Sequence, residues 1–151
     1  MTLQEFFVTA TRKAMTDLEK ALDSLPEDKR NYSPGGKART AADMVAECAI
    51  LNGITAQVVV ERKMTGEFNM EEFTKTKDIL ARKPEVLHTL LHSSTEKFIA
   101  AITSVPIDDL GVEIDLPWGK MTIAQVLAYP YWNMSYHEGQ IYYIGSMLEQ
   151  S

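Results

Sequence analysis

Residues 121–148 read MTIAQVLAYPYWNMSYHEGQIYYIGSML, and the fold turns on how this stretch is read. It has no charged side chain before Glu138, and its large apolar residues recur at helical spacing, the mark of a helix buried along one side. At about 100° per residue, Val126, Pro130, Asn133, His137, Ile141, Ile144 and Leu148 share one stripe. Asn133 and His137 therefore stand mid-stripe, one turn apart. A buried amide or imidazole without partners costs roughly 1–3 kcal/mol, so the fold has to supply something for them to bond. Pro130 removes one backbone bond and crowds the preceding turn, which predicts a kink just before Asn133.

The chain around this stretch has 151 residues, 45% of them hydrophobic and 24% charged, which predicts one domain over 1–151 with a true core. A formal charge of −6 repels phosphate backbones and anionic lipid, and no basic stripe offsets it, so nucleic acid is not expected as a partner. Cys48 is the single cysteine and makes no internal disulfide, which suits a reducing compartment. The first residues mix acid and base with apolar positions, unlike a signal peptide. No run approaches the roughly 20 apolar residues of a membrane span. The expectation is a cytoplasmic protein without a membrane partner.

Three further helices lie upstream. Leu3–Leu25 places Leu3, Phe7, Ala10, Ala14, Leu18, Ala21 and Leu25 on one face and stops at Pro26. Glu27–Arg39 is charged and then turn-rich, with Ser33-Pro34-Gly35-Gly36 as the breaker, so it reads as an exposed connection. Thr40 and Asp43 make a capping-box pattern at the head of a second helix, which runs to about Met64 and turns Met44, Glu47, Leu51, Ile54 and Val58 inward. Thr65-Gly66 ends it, and the charged span Glu67–Lys83 predicts a loop with a short helix around Met70–Leu80. Pro84 suits the first turn of a third helix with Leu87, Leu91, Ser94, Phe98, Ala101 and Val105 as its stripe. After Pro106, Val112–Leu116 alternates apolar and acidic residues, predicting an extended segment or hairpin before Gly119. Thr122 with Gln125 then caps the fourth helix. Four long helices with almost no strand signal make an all-α bundle, antiparallel by default with crossings of about 20°.

Bundle interiors host sites built from facing helices, and the inner stripes carry three polar residues: Glu47, Asn133 and His137. If the second and fourth helices face each other, a carboxylate, an amide oxygen and an imidazole converge. That set holds a divalent ion with waters in its open positions. The same groups also satisfy one another as an inert hydrogen-bonded cluster, and residue types alone leave both readings open.

His137-Glu138-Gly139-Gln140-Ile141, with a ligand-type residue four positions earlier, resembles the H-x-x-x-H-x-G-Q-I signature of the DinB/YfiT-like superfamily. The order of elements is similar over nearly the whole chain, from the Thr40–Glu47 entry to the second helix, through the Pro84-Glu85 start of the third, to Trp118-Gly119 before the fourth. The resemblance implies an up-down-down-up four-helix bundle in place of the alternating one, often a homodimer. It implies a metal held by one histidine on the second helix and two on the fourth. It implies thiol-dependent transferase or isomerase activity in some members and metal-dependent hydrolysis in another. This chain departs from the pattern: Glu47 and Asn133 stand where two of the histidines belong, and His137 alone matches. Glutamate is a sound ligand for Zn²⁺, Mn²⁺ or Fe²⁺, a neutral Asn carbonyl a weak one, and a lost imidazole lowers affinity for Zn²⁺ or Ni²⁺.

Other residues carry less. His88 and His92 are one turn apart, but the wheel sets them about 100° and 140° from Leu87, beside the stripe, as a solvated pair. Cys48 has no basic neighbour in its helix and reads as an inert core thiol. Tyr129, Tyr131, Trp132, Tyr136, Tyr142 and Tyr143 read mostly as core or dimer surface, with Tyr131 or Trp132 walling a pocket. No nucleophile triad, phosphate loop or CxxC occurs. The expectation is a divalent ion (Zn, Ni or Mn) at Glu47, Asn133 and His137, open to a small-molecule pocket, in a metal-dependent S-transferase or hydrolase. Its rival is a non-catalytic homodimeric interaction protein whose Glu/Asn/His cluster fixes helix register.

Overall fold

The computed structural model describes residues 1–149. Local chemistry starts each helix. α1 (Leu3–Asp23) opens on a capping box in which the Glu5 N–H donates to Thr2 Oγ1 at 3.1 Å and the Thr2 N–H to the Glu5 carboxylate at 2.6 Å. α2 (Ala41–Glu61) opens on Thr40, whose hydroxyl accepts from the Asp43 N–H at 3.1 Å. The reciprocal half of the expected box is absent, because the Asp43 carboxylate is taken by Arg39 Nε at 2.6 Å and Lys77 Nζ at 3.4 Å. α2 also ends earlier than Met64: Arg62 adopts the left-handed region at φ 61° and its N–H closes on the Val58 carbonyl at 2.8 Å. The short α3 (Met70–Ala81) falls where the sequence places it, capped by Asn69, and α4 (Pro84–Ser104) carries Pro84 in its first turn.

The extended segment is an antiparallel hairpin of β1 (Glu113–Leu116) and β2 (Gly119–Thr122), with Leu116 opposite Gly119. Gly119 turns the chain at φ 129°, a conformation that side chains with a Cβ rarely adopt. The Thr122–Gln125 capping box closes with bonds of 2.8 and 3.2 Å. α5 (Ile123–Glu149) then runs as one helix through the buried Pro130.

Side-chain pairs give the direction of each neighbour. Phe6 meets Tyr131 and Leu25 meets Gly145, so α1 and α5 run parallel. Arg12 meets Glu96 and Glu19 meets His88, so α1 and α4 are antiparallel. Asn52 bonds Thr95, and Val45 joins Leu91 in one core cluster while Val59 joins Ile102 in the other, so α2 and α4 run parallel. Glu47 meets His137 and Asn52 meets Met134, so α2 and α5 are antiparallel. The bundle is up-down-down-up, and the alternating default is corrected. The connection through α3 is what returns the chain across the bundle so that α4 can run alongside α2.

α2 is the central helix. Ala41, Val45, Cys48, Asn52, Ala56 and Val59 are all buried, and its alanines leave room for neighbours on several sides. Of the expected inward stripe, Met44 and Val58 are buried in the core and Glu47 is turned inward, while Leu51, Ile54 and Val58 also wall a cavity. By length and apolarity α2 would reach across a bilayer, contrary to expectation, but here it packs as the core helix of the bundle.

Candidate functional site

Glu47 is drawn inward by its place in α2, and His137 by its place on the buried stripe of α5. Gln140, one turn beyond His137, accepts from His137 Nδ1 through its amide oxygen at 2.6 Å. The opposite ring nitrogen, Nε2, then faces Glu47 Oε2 at 3.7 Å, with side chains only 6% and 15% exposed. On the outer side of the carboxylate, Arg39 Nη1 pairs with Glu47 Oε2 while Arg39 Nε holds Asp43. Asn133 is buried one turn before His137, and its amide nitrogen donates to Cys48 Sγ at 3.6 Å. Glu47 and His137 are thus brought together directly. Asn133 is anchored in the adjoining turn, and among the described residues its oxygen accepts no hydrogen bond.

The electrostatics follow from this arrangement. Burial pushes the Glu47 carboxyl up, but the Arg39 guanidinium paired with it, with His137 alongside, outweighs burial and holds the group at about 2. Glu47 is therefore an anion at any physiological pH. Burial, aided by the Glu47 charge, pushes the Cys48 thiol up, so it stays protonated and agrees with the inert reading. Burial and the same carboxylate also raise Tyr129.

The pair fits two corners of a metal site. Two bonds of about 2.1 Å meeting at the tetrahedral angle place their ligand atoms about 3.4 Å apart, a few tenths of an ångström inside the observed 3.7 Å. Arg39 already supplies one positive charge to this carboxylate, and an incoming ion would have to displace it.

Beside the pair lies a cavity of about 650 Å³ with almost wholly apolar walls, including Leu51, Ile54, Val58, Met121 and Tyr129. Leu51 and Tyr129 lie one helical turn from Glu47 and Asn133 and the Glu47 charge reaches Tyr129, but Glu47, Asn133 and His137 do not themselves line the cavity. Trp118 stands at its lip, 65% exposed. Tyr129 is the one α5 tyrosine on this wall. Tyr131, Trp132, Tyr136, Tyr142 and Tyr143 are exposed, not core, with Trp132 stacked on Tyr136 at 5.5 Å.

Four participants escaped sequence reasoning. Arg39 sits one turn before Asp43 in a charged connection, a spacing that would have suggested at least that ion pair. Gln140 lies inside the quoted signature. Asn52, buried and donating to Thr95 Oγ1 at 3.0 Å, had no local signal. Glu19 had none either, yet it joins the histidines of α4. Its carboxylate lies 3.0 and 3.1 Å from His92 Nε2 and pairs with His88 Nδ1, and the potential ligand atoms of all three lie within 4.8 Å of one another. The pair is solvent-facing, as read, and is also tied to α1 through Glu19.

No protein-family model matches the chain, and no curated protein matches it in sequence. Solved structures do match in shape. YfiT from Bacillus subtilis, described as a probable metal-dependent hydrolase with an unusual four-helix bundle topology, superposes with a TM-score of 0.82 at 12% identity, over 97% of this chain and 87% of its own. The chain has the DinB/YfiT-like fold. The mycothiol-dependent maleylpyruvate isomerase matches this DinB-like bundle with a TM-score of 0.72 at 13% identity over 93% of this chain. The match spans only 63% of the isomerase's length. The colibactin self-resistance protein ClbS, solved in complex with a dsDNA, matches with a TM-score of 0.68 at 16% identity over 95% of each chain.

Proposed function

We propose that this DinB-like chain is a metal-dependent enzyme acting on a small molecule with an apolar body, as a transferase using a low-molecular-weight thiol or as a hydrolase. The observation that carries the reading is the approach of Glu47 Oε2 to His137 Nε2, 3.7 Å apart beside an apolar cavity. The mycothiol dependence of one structural neighbour and the hydrolase description of another support the two reaction classes. Glu47 and His137 would hold a divalent ion (Zn, Ni or Mn), with the Asn133 oxygen as a weaker third ligand. Such an ion supplies a Lewis acid that lowers the pKa of a bound water or thiol.

The chain's own residues do the rest. Gln140 fixes the His137 tautomer so that Nε2 is the free end. Arg39 retains Asp43 as a second carboxylate when it leaves Glu47. The walls formed by Leu51, Ile54 and Val58 receive the apolar body and keep water from it. ClbS is found with dsDNA, but the charge of −6 here favours a small molecule over a polyanion.

A second reading rests on Arg39. Arg39 already neutralises the Glu47 charge beside His137, as a non-catalytic homodimeric protein would need, and exposed Trp132, Tyr136 and Tyr143 on α5 offer a face to a second copy. Elemental analysis by plasma mass spectrometry after dialysis against Zn²⁺, Ni²⁺ and Mn²⁺ separates the two. The enzyme reading expects one equivalent that disappears in His137→Ala and binds more tightly in Arg39→Ala. If no equivalent depends on His137, even with Arg39 removed, the second reading replaces it.

A further inference from the structure

We propose that Glu19, His88 and His92 form a separate divalent-metal site that pins α1 to α4. It uses none of the residues of the site above and stands or falls independently of it. His88 and His92 are one turn apart on α4, which directs both rings to one face, and the ring centroids lie 4.4 Å apart. α1 runs antiparallel to α4 and brings Glu19 between them, its carboxylate contacting His88 Nδ1 and lying 3.0 and 3.1 Å from His92 Nε2. Three potential ligand atoms within 4.8 Å of one another, from two helices, need only small side-chain movements to close on one ion.

The donor set names the ion's class. Two imidazoles and a carboxylate are borderline ligands that select Zn²⁺, Co²⁺, Ni²⁺ or Cu²⁺ over Mg²⁺ or Ca²⁺, and they leave at least one position for water. The side chains of His88 and His92 are 59% and 42% exposed, so an ion reaches them without any opening of the bundle. Among the described residues no lysine or arginine pairs with Glu19: Arg12 is engaged by Glu96 at 3.0 Å and Arg30 by Asp23 at 3.8 Å. This is the opposite of Glu47, whose charge Arg39 already neutralises. Because α1 and α4 contribute ligands far apart in sequence, an ion bound here favours the folded chain and raises its melting temperature.

The test is a zinc titration against a chromogenic chelator, with cobalt absorption spectra and melting curves, on the whole chain and on His88→Gln/His92→Gln, Glu19→Gln and His137→Ala. Both histidines are solvent-facing, so glutamine there leaves the fold intact, which circular dichroism verifies. One zinc equivalent that does not depend on His137 is expected, present in the wild type and in His137→Ala alike, with a zinc-dependent rise in melting temperature in both. In the double variant that equivalent is expected to weaken by more than about 100-fold, beyond the 10–100-fold typical of losing a supporting group, and the thermal shift to vanish once His137→Ala is added. Glu19→Gln should fall between. The site is refuted if no equivalent depends on His88 and His92, or if, with His137→Ala also present, the thermal shift survives their replacement.

Discussion

Gln140 Oε1 lies 2.6 Å from His137 Nδ1, and this contact settles which edge of the imidazole meets Glu47. Replacing Gln140 with Leu frees the ring to exchange tautomers and turn. Metal affinity at His137 is expected to fall about 10–100-fold, while stability changes by no more than about 1.5 kcal/mol. Chelator competition reads the first and urea denaturation the second. Nitrogen chemical shifts of His137 in the apo protein should change from one tautomer to a mixture.

Glu47 makes stability depend on acid. Its folded value of about 2 lies below the ordinary 4.5, so its contribution is complete above about pH 4.5 and is lost as pH falls toward 2. The full contribution is on the order of 3 kcal/mol. Arg39→Gln removes one of the groups holding the value down, so the stability gap between wild type and variant should be wide at neutral pH and narrow by pH 3. Urea melts across that range would show a constant gap if Arg39 did not act through Glu47.

What could be read beforehand was local. The α4 stripe, the Pro84 start, the Asn133–His137 stripe and the Thr122–Gln125 box all depend on residues three or four apart, and all appear as expected. The missed contacts join distant elements: Glu19 lies on α1 and its histidines on α4, and neither helix alone announces the other. The stripe of α2 was drawn too narrow, because helical wheels weigh large residues and pass over the buried Ala46, Ala49, Asn52 and Ala56. The tightly packed sides of α2 are built partly from alanines, while its larger Leu51 and Ile54 face a cavity. Asp43 left its cap because Arg39 and Lys77 offer it charge.

The cavity should behave as an apolar receptacle. Ile54→Trp places an indole in it, and binding of a fluorescent apolar probe is expected to drop at least tenfold. Overpacking of about 1–3 kcal/mol is the accompanying stability loss. Probe binding that survived the substitution would locate the apolar site elsewhere.

Asn52 holds the centre of the bundle through Thr95. Asn52→Ala leaves the Thr95 hydroxyl without its donor in a dry core, at about 1–3 kcal/mol. A double-mutant cycle with Thr95→Val should give a coupling of about 0.5–3 kcal/mol, and additive losses would show the bond to be incidental.

Cys48 has a use that its chemistry alone does not suggest. As the only thiol in the chain, fully enclosed and kept protonated, it is shielded from an alkylating reagent while the bundle is closed. Its labelling rate therefore reports how often α2 is uncovered: an opening equilibrium when the reagent is slow, an opening rate when it is fast. The wild-type protein thus carries its own clock for breathing of the core, with no engineered probe to perturb it.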